Sequence, residues 1–315
     1  MGRIKLNYDE NIFKELKTYV PNTTDTTIKT YVYNLMMISQ YFDEPLDVEL
    51  FQEFDIIKDY LNSHNYSMNT IKNKVSSIIS YLKMKKQDIK LIEKYKDYFD
   101  ILDSRILRNA HKMQKSEKEE KNWMTKDELM IQLNYLKSQI PTNPTIYGDI
   151  LKWMKYIILL IHITYPFRND LSSAEIANVE TELNDGINYV LINKKHSKFI
   201  IQAYKTKRTY KKKEINIIPN ISNEIIKYEQ VLNNYKNKNN VQNNLFLIDK
   251  KGNKFTTNDF TIFFKSIFEY VNKDITATII RKIIVSSLYD VKAIKELSNV
   301  MMHSPGTALQ FYAKE

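Results

Sequence analysis

The chain contains no cysteine among its 315 residues, and this absence excludes several classes of protein. Without thiols there are no disulfide frameworks, no cysteine-ligated zinc fingers and no cysteine nucleophiles. Long apolar runs are also missing: the most apolar stretch, WMKYIILLIHITYPF, contains Lys155 and His162 and is too short to span a bilayer. Residues 1–17 lack the apolar core of a secretory signal. We therefore expect no membrane partner, and we interpret the apolar stretch as a buried helix.

Positive charge is present in excess. The 47 Lys and Arg residues outnumber the 37 Asp and Glu residues, which gives a formal net charge of +10. With 43% hydrophobic and 12% aromatic residues, the chain can bury substantial cores, and its length is typical of two domains. The basic balance favours a polyanionic partner, with nucleic acid ahead of an anionic membrane.

Helical periodicity dominates the first hundred residues. Apolar residues recur at three- and four-residue spacings in TDTTIKTYVYNLMMISQYF, and SMNTIKNKVSSIISYLKM opens on Ser67, a predicted N-cap. The apolar pattern stops over HKMQKSEKEEKNWMT. We predict a helical N-terminal domain over residues 1–111, an exposed linker over 112–122 and a second domain over 123–315. A long solvated helix is the alternative interpretation of the linker.

The second half mixes helices with a few strands. Its pattern is helical up to Pro166, and then NYVLINK, KFIIQAYKT and KKEINIIP follow as β-rich runs separated by basic, turn-like segments. The last fifty residues are helical again. The predicted fold class is mainly α with a small antiparallel β-sheet, an α+β arrangement.

Two arginines stand out by their surroundings. Arg281, in ITATIIRKIIVSSLYD, has no acidic neighbour on its own helical face, so it needs an anionic partner from elsewhere. That partner is either a remote carboxylate or a phosphate, which the guanidinium group binds with two hydrogen bonds. Arg168 follows Pro166, where one helix ends and the next is predicted to begin, and a helix start suits a phosphate. The alternative for Arg168 is a salt bridge to Asp170 or Glu175.

A basic hairpin and the C-terminal segment supply the other candidates. KTKRTYKKK contains six basic residues in nine, and Lys205 comes first, directly after an apolar strand. In MMHSPGTALQFY, His303 and Tyr312 are nine residues apart, which would place them on opposite sides of one continuous helix, roughly 13 Å apart along its axis. The Ser-Pro-Gly sequence after His303 breaks that helix, so both side chains can turn toward one point. A core position for Tyr312 is the alternative.

Taken together and in this order, these segments resemble the tyrosine recombinase/integrase family. TYPFRNDL looks like the first arginine box, AYKTKRTYKKKEINIIP like the lysine hairpin, TATIIRKIIVSSLY like the H-x-x-R box and MMHSPGTALQFY like the G-H-S…Y box. The resemblance covers residues 123–312, and the helical residues 8–110 look like the core-binding domain of the family. It implies a helical core-binding domain followed by a tyrosine-recombinase catalytic domain.

The resemblance also implies roles for individual residues. The implied catalytic set is Arg168, Lys205, Thr278, Arg281, His303 and Tyr312. The implied DNA-backbone contacts are Lys207, Arg208, Lys211, Lys212 and Lys213. In three places the sequence departs from the family: Thr278 replaces the usual histidine, Met302 replaces the usual glycine, and Asp170 lies one place earlier than the common acidic residue. Because little sequence follows Tyr312, we expect its helix to be weakly anchored.

The implied reaction is breakage and rejoining of DNA through a covalent link between Tyr312 and a 3′-phosphate. Such a link preserves the bond energy, so we expect neither metal nor ATP nor any other cofactor. The expected partners are duplex DNA with specific target sites and further copies of this chain, as a dimer or tetramer on DNA. The location would follow the target DNA, whether host nucleus, cytoplasm or viral factory. The composition suggests an integrase of a DNA virus, virophage or mobile element.

Three alternatives stay open at this stage. A type IB topoisomerase uses nearly the same residues but rejoins the original strand. A catalytically inactive DNA-binding relative would explain Thr278. A non-enzymatic helical scaffold would explain the charge and the helices, but not the ordered boxes.

Overall fold

The computed structural model describes residues 9–180, 183–193, 196–204, 211–288 and 291–314. It divides into two compact units, Met1–Lys112 and Met113–Glu315. Within the described ranges, no helix is both long enough and apolar enough to cross a membrane.

The N-terminal unit is helical, with helices α1 (Glu10–Tyr19), α2 (Asp25–Phe42), α3 (Phe54–Ser63), α4 (Met68–Met84) and α5 (Ile89–His111). Side-chain caps begin four of them, at Asp9, Thr24, Ser67 and Asp88; for example, Ser67 accepts a hydrogen bond from the Thr70 amide. The prediction of Ser67 as an N-cap is confirmed. One apolar core fills the unit, and Phe51 and Tyr95 are among its largest fully buried side chains.

Part of the predicted linker is helical and belongs to the C-terminal unit. Helix α6 (Glu117–Asn122) begins with a capping box, in which the Glu119 amide donates to the Ser116 hydroxyl and the Ser116 amide donates to the Glu119 carboxylate. Most residues of this short helix are exposed. The charged sequence forms a helix here because the capping box satisfies backbone amides of its first turn.

The remaining helices of the C-terminal unit are α7 (Lys126–Ser138), α8 (Tyr147–Thr164), α9 (Pro219–Lys238), α10 (Thr257–Ser266), α11 (Ala277–Ser286), α12 (Val291–Val300) and α13 (Pro305–Tyr312). Helix α8 carries the apolar stretch singled out in the sequence, and it is buried along most of its length. It ends before Pro166, as predicted, because proline lacks the amide that would continue the helix.

A small sheet lies beside these helices, with strands β1 (Glu175–Ala177), β2 (Tyr189–Leu191), β3 (Lys198–Ile201) and β4 (Lys213–Asn216) in that spatial order. The mainly α fold class is confirmed, and β2, β3 and β4 are antiparallel as predicted. However, β1 pairs with β2 in parallel, so the sheet is mixed and not purely antiparallel. Three residues are too few for β1 to show an alternating pattern in the sequence.

Candidate active site

A polar cleft in the C-terminal unit contains both arginines predicted from the sequence. Its volume is about 430 Å³. Its lining residues are Arg168, Asn169, Asp170, Ser172, Ser173, Asn188, Ala203, Thr257, Thr278 and Arg281. The turn after α8, the end of β3 and the first turns of α10 and α11 thus meet around one opening.

Arg281 is the most buried charge of this cleft, with 4% of its surface exposed. It projects from α11 between apolar residues, and its Cζ lies 4.7 Å from the ring centroid of Tyr312. Its Nη2 donates a long hydrogen bond of 3.5 Å to the Thr278 hydroxyl. Its Nε and Nη1 have no hydrogen-bond partner in the described part of the chain. Burial lowers the pKa of Arg281 from its usual range, which reflects the cost of holding this cation away from water.

Arg168 lies four residues after the end of α8 and is half-buried. Its Nη2 is 2.9 Å from Nε2 of His303, whereas its Nη1 is buried without a hydrogen-bond partner among the described residues. The predicted salt bridge to Asp170 or Glu175 is not formed by the described side chains; only the Arg168 amide donates to the Asp170 carboxylate, at 3.3 Å. The helix expected after Arg168 is a single 3-10 turn, Asn169–Leu171. That turn is too short for its peptide dipoles to add up to an anion site.

His303 is positioned by the end of α12. Its amide donates to the Ser298 carbonyl at 3.0 Å, and the Met302 amide donates to the Asn299 carbonyl at 3.2 Å. This pair of hydrogen bonds is a Schellman motif, which requires a left-handed residue just before His303. Met302 supplies it with a φ of 56°, although glycine adopts this conformation at a lower cost. The backbone geometry expected of a glycine is therefore present with methionine in its place.

The break after His303 brings Tyr312 back toward the same point. Ser304 caps α13 by accepting a hydrogen bond from the Thr307 amide at 3.1 Å, and Pro305 occupies the first turn. As a result, the Tyr312 hydroxyl lies 3.2 Å from Nε2 of His303. The two side chains, which a continuous helix would hold apart, are thus within hydrogen-bonding distance of each other.

Helix α13 is held more firmly than the sequence suggested. Ala308 is fully buried in an apolar cluster that joins α11, α12 and α13, and Tyr312 packs against that cluster. Beyond the helix, the Ser286 hydroxyl donates to the Tyr312 carbonyl at 3.4 Å and accepts from the Lys314 amide at 2.7 Å. The expectation of weak anchoring is therefore wrong, because the tail is bonded to α11 in addition to its apolar packing.

His303 is an acceptor toward its neighbours. Burial, together with the charges of Arg168 and Arg281, lowers the pKa of His303 from 6.5 to about 4, so the imidazole is neutral at pH 7. The Nη2 of Arg168 lies 2.9 Å from Nε2 and 3.3 Å from Nδ1 of His303, and since a guanidinium group can only donate, the imidazole accepts from it. Nε2, the nearer nitrogen, also faces the hydroxyl of Tyr312.

The remaining predicted residues are in mixed positions. Thr278 is exposed at the cleft and contacts Arg281. Lys205, Lys207 and Arg208 lie outside the described residues. Of the three described lysines, Lys211 and Lys212 are exposed and Lys213 lies in β4. Lys212 forms an ion pair of 2.9 Å with a glutamate two residues later.

Comparisons with known proteins identify the fold. No protein-family model matches the sequence, and no curated protein has a significant sequence match. The structure is similar to that of the XerH site-specific recombinase bound to difH substrate in a pre-cleavage complex, with a TM-score of 0.54, 13% identity, and coverage of 98% of this chain and 87% of that one. The post-cleavage complex of XerH with a palindromic difH substrate gives a TM-score of 0.55, 12% identity, and coverage of 98% and 86%. This chain has the tyrosine recombinase fold.

Two buried polar residues of this recombinase fold border the arginines but were not singled out as site residues in the sequence. His162 is fully buried in α8, with Nδ1 2.8 Å from the Ile158 carbonyl and Nε2 3.4 Å from the Arg168 carbonyl. Asn188 is 4% exposed and lines the cleft. In the sequence, His162 stands out only weakly, as a histidine inside an apolar helix. Asn188 follows a glycine turn and cannot be distinguished from an ordinary loop residue.

Proposed function

We propose that this protein is a tyrosine recombinase enzyme, which cuts DNA, holds the cut end as a 3′-phosphotyrosyl link and rejoins it to another strand. One observation carries the proposal: two guanidinium groups with buried, unpartnered nitrogens lie close to a tyrosine whose hydroxyl faces a neutral imidazole. A phosphodiester supplies the anionic oxygens that these guanidinium groups are suited to bind.

In the proposed reaction the Tyr312 oxygen attacks phosphorus, and the bond between phosphorus and the 5′-oxygen breaks. The phenol proton passes to Nε2 of His303, and the departing 5′-oxygen takes a proton from Lys205. Rejoining reverses both transfers with the 5′-hydroxyl of a second strand as the nucleophile. No net bond energy is lost, so the cycle requires no nucleotide cofactor.

The arginines act on the charge of the phosphorane-like transition state. Arg168 and Arg281 would bind its non-bridging oxygens through the buried nitrogens that now lack partners, and hydrogen bonds from buried donors are stronger than those in water. The bound phosphate would also offset the positive charges that lower the pKa of His303. Substrate binding would therefore make His303 a better proton acceptor for Tyr312.

The partner in this proposal is duplex DNA. The XerH relatives are complexes with difH substrates, and this chain carries a net charge of +10. We assign the non-specific contacts with the phosphate backbone to the basic segment with Lys207, Arg208, Lys211, Lys212 and Lys213. We assign binding of the core of the DNA target site to the helical residues 1–111. Self-association on paired sites, and a role in integration of mobile or viral DNA, are part of the same proposal.

The test is covalent trapping on nicked duplexes. A set of end-labelled duplexes tiled across the DNA that flanks the gene, each with a nick just beyond the candidate scissile phosphate, is incubated with the protein. We expect a labelled adduct that survives denaturation, and peptide mapping should locate it at Tyr312. Tyr312→Phe keeps the ring and should bind the same duplex without forming the adduct.

The alternatives give different results in this assay. An inactive relative or a scaffold forms no adduct with any duplex, and a phosphotyrosyl link at another residue would refute the role of Tyr312. A type IB topoisomerase forms the adduct but rejoins only the original strand. Adding a second, differently labelled duplex therefore separates a topoisomerase from a recombinase, which joins the two labels.

A further inference from the structure

Asn188 uses its whole side-chain amide to join two walls of the cleft. Its Nδ2 donates to the carbonyl of Asp170 at 2.7 Å and to the carbonyl of Ala203 at 2.9 Å. Its Oδ1 accepts from the amides of Gln202 at 2.8 Å and of Ala203 at 2.7 Å. An amide side chain has two N–H donors and one oxygen with two lone pairs. All four positions are occupied, at a site that is 4% exposed.

These hydrogen bonds begin where the sheet ends. The β2–β3 ladder stops at the pair of Tyr189 with Ile200, and the next residues of β3 have no backbone partner in that ladder. Asn188, directly before β2, replaces the missing strand with its side chain by pairing with both the amide and the carbonyl of Ala203. The path of the chain beyond β3 is thereby held by side chains and not by a strand: Asn188 binds Ala203, and Nε2 of Gln202 donates to the carbonyls of Asn184 at 2.6 Å and Ile187 at 2.8 Å.

The second attachment gives this arrangement a consequence for the cleft. Asp170 is two residues after Arg168, and Ala203 is two residues before Lys205 in the sequence. Through its two N–H groups, Asn188 links the turn that carries Arg168 to the chain that leads to Lys205.

We propose that Asn188 is a positioning residue, which sets the path of the chain leading to Lys205 relative to the phosphate site. This inference rests on the proposed function, in which Lys205 donates a proton to the departing 5′-oxygen. A displacement of about 1 Å in a reacting group can cost ~10²-fold in rate. Loss of the bridge should therefore slow cleavage by reducing proton donation, while the two arginines still bind the phosphate.

Asn188→Asp tests the bridge with little change in shape. It replaces Nδ2, which donates to two carbonyls, by an oxygen that cannot donate as a carboxylate. The full-length protein is compared on two nicked duplexes that differ in one atom, the bridging 5′-oxygen or a 5′-sulfur at the scissile phosphate. On the sulfur duplex, the Tyr312 oxygen–phosphorus bond forms and the phosphorus–sulfur bond breaks. The sulfur leaves as a thiolate with the bonding electron pair, and it needs no proton from the enzyme.

We expect Asn188→Asp to form adduct on the oxygen duplex ~10–100-fold more slowly than the unsubstituted protein. On the sulfur duplex its rate should return to within about threefold of the unsubstituted protein. Lys205→Ala should show the same pattern, whereas Arg168→Ala should be slow on both duplexes because transition-state charge develops in either case. Asn188→Ser, which retains one donor and one acceptor, should be intermediate and covers the case in which the aspartate variant does not fold.

Ser222→Ala is the matched control for lost stability. It removes a buried hydrogen bond of 2.8 Å to Ser197, at the opposite end of β3 from the cleft. This variant should lower the free energy of unfolding and still cleave both duplexes at the original rate.

The inference is overturned if Asn188→Asp and Asn188→Ser cleave the oxygen duplex at the original rate. It is equally overturned if they are slow on both duplexes, because the effect then comes from the fold or from the arginines. Failure of the proposed function has a different signature, since the unsubstituted protein would then form no adduct on either duplex.

Discussion

Two buried cations of the C-terminal unit have opposite surroundings. Lys236, in α9, is 3% exposed, and its Nζ donates to the Leu245 carbonyl at 2.6 Å and to the Asn243 carbonyl at 3.2 Å. Burial lowers its pKa from 10.5 to about 8. Arg281 is 4% exposed, yet two of its nitrogens have no partner in the described structure. The two cations are thus buried to the same extent, but Lys236 has hydrogen-bond acceptors and two nitrogens of Arg281 have none.

This difference separates a structural cation from one suited to bind a ligand. A buried donor without a partner costs about 1–3 kcal/mol, and more when it is charged. Lys236 avoids that cost by binding carbonyls of its own chain. Arg281 incurs this free-energy cost, and a bound phosphate would remove it by accepting hydrogen bonds from the free nitrogens. Substitutions at the two positions should therefore affect stability and chemistry in opposite ways.

The largest effect is expected from Arg281→Met. Removing one contact to the developing charge should lower the rate of adduct formation by ~10²–10³-fold. Because the variant also removes an unpartnered buried charge, its free energy of unfolding should stay the same or rise. Trapping assays and denaturant unfolding measure the two quantities. A clear loss of stability with normal cleavage would show that Arg281 is a structural residue.

Acid should destabilise the cleft region more than the region around Lys236. His162 is fully buried, and burial lowers its pKa from 6.5 to about 4; His303 shifts in the same direction. Since the unfolded histidines protonate first, the stability they contribute is complete above pH 6.5 and is lost as the pH falls toward 4. For His162 the loss is ~3 kcal/mol, at about 1.4 kcal/mol per pKa unit.

Denaturant unfolding between pH 7 and pH 4 measures this loss. His162→Gln removes one of the two titrating groups, so its stability should depend less steeply on pH over that range. An unchanged slope in the variant would mean that His162 is not held in its neutral form.

Lys236→Met should lower the free energy of unfolding by about 1–3 kcal/mol, because two buried carbonyls lose their donor. The rate of adduct formation should stay the same, since Lys236 does not line the cleft. Denaturant unfolding and the trapping assay again give the two readings. If this variant keeps its stability but cleaves slowly, the proposed distinction between the two cations does not hold.

The smallest effect is expected from Thr278→His. Thr278 is exposed at the cleft and makes only a long contact with Arg281, so an imidazole has room and adds a donor to the phosphate. The rate of adduct formation should change by less than about tenfold, well below the effect of losing an arginine. An inactive Thr278→His variant would mean that the segment TATIIRKIIVSSLY is wrongly aligned with the H-x-x-R box of the family.

The sequence predicted those features that have local chemical signals. The end of α8 before Pro166 and the helix break at the Ser-Pro-Gly sequence after His303 follow from local residues. Once that break is known, the nine-residue spacing of His303 and Tyr312 is enough to predict that their side chains can meet. Strands β2, β3 and β4 could be predicted because each interrupts a helical pattern with β-branched and aromatic residues.

Features that depend on distant contacts could not be predicted. Asn188 is defined by partners 15 and 18 residues away, and nothing near it in the sequence marks it as buried. The left-handed Met302 gives no signal, since methionine is rarely found in this conformation. The unpartnered nitrogens of Arg281 could not be predicted either, because the sequence allowed a salt bridge to a remote carboxylate, whereas Asp170 lines the same cleft without a hydrogen bond to Arg281 among the described contacts.

The attachment of the chain after Tyr312 has a mechanical consequence for the proposed reaction. A DNA end joined to Tyr312 would transmit tension into α13, and Ser286 binds the chain on both sides of Ala313. Ser286 and Arg281 belong to the same helix, α11. Pulling the tyrosine away from the cleft would thus either break two hydrogen bonds or drag the arginine with it, so the nucleophile and its charge partner bear load as one part.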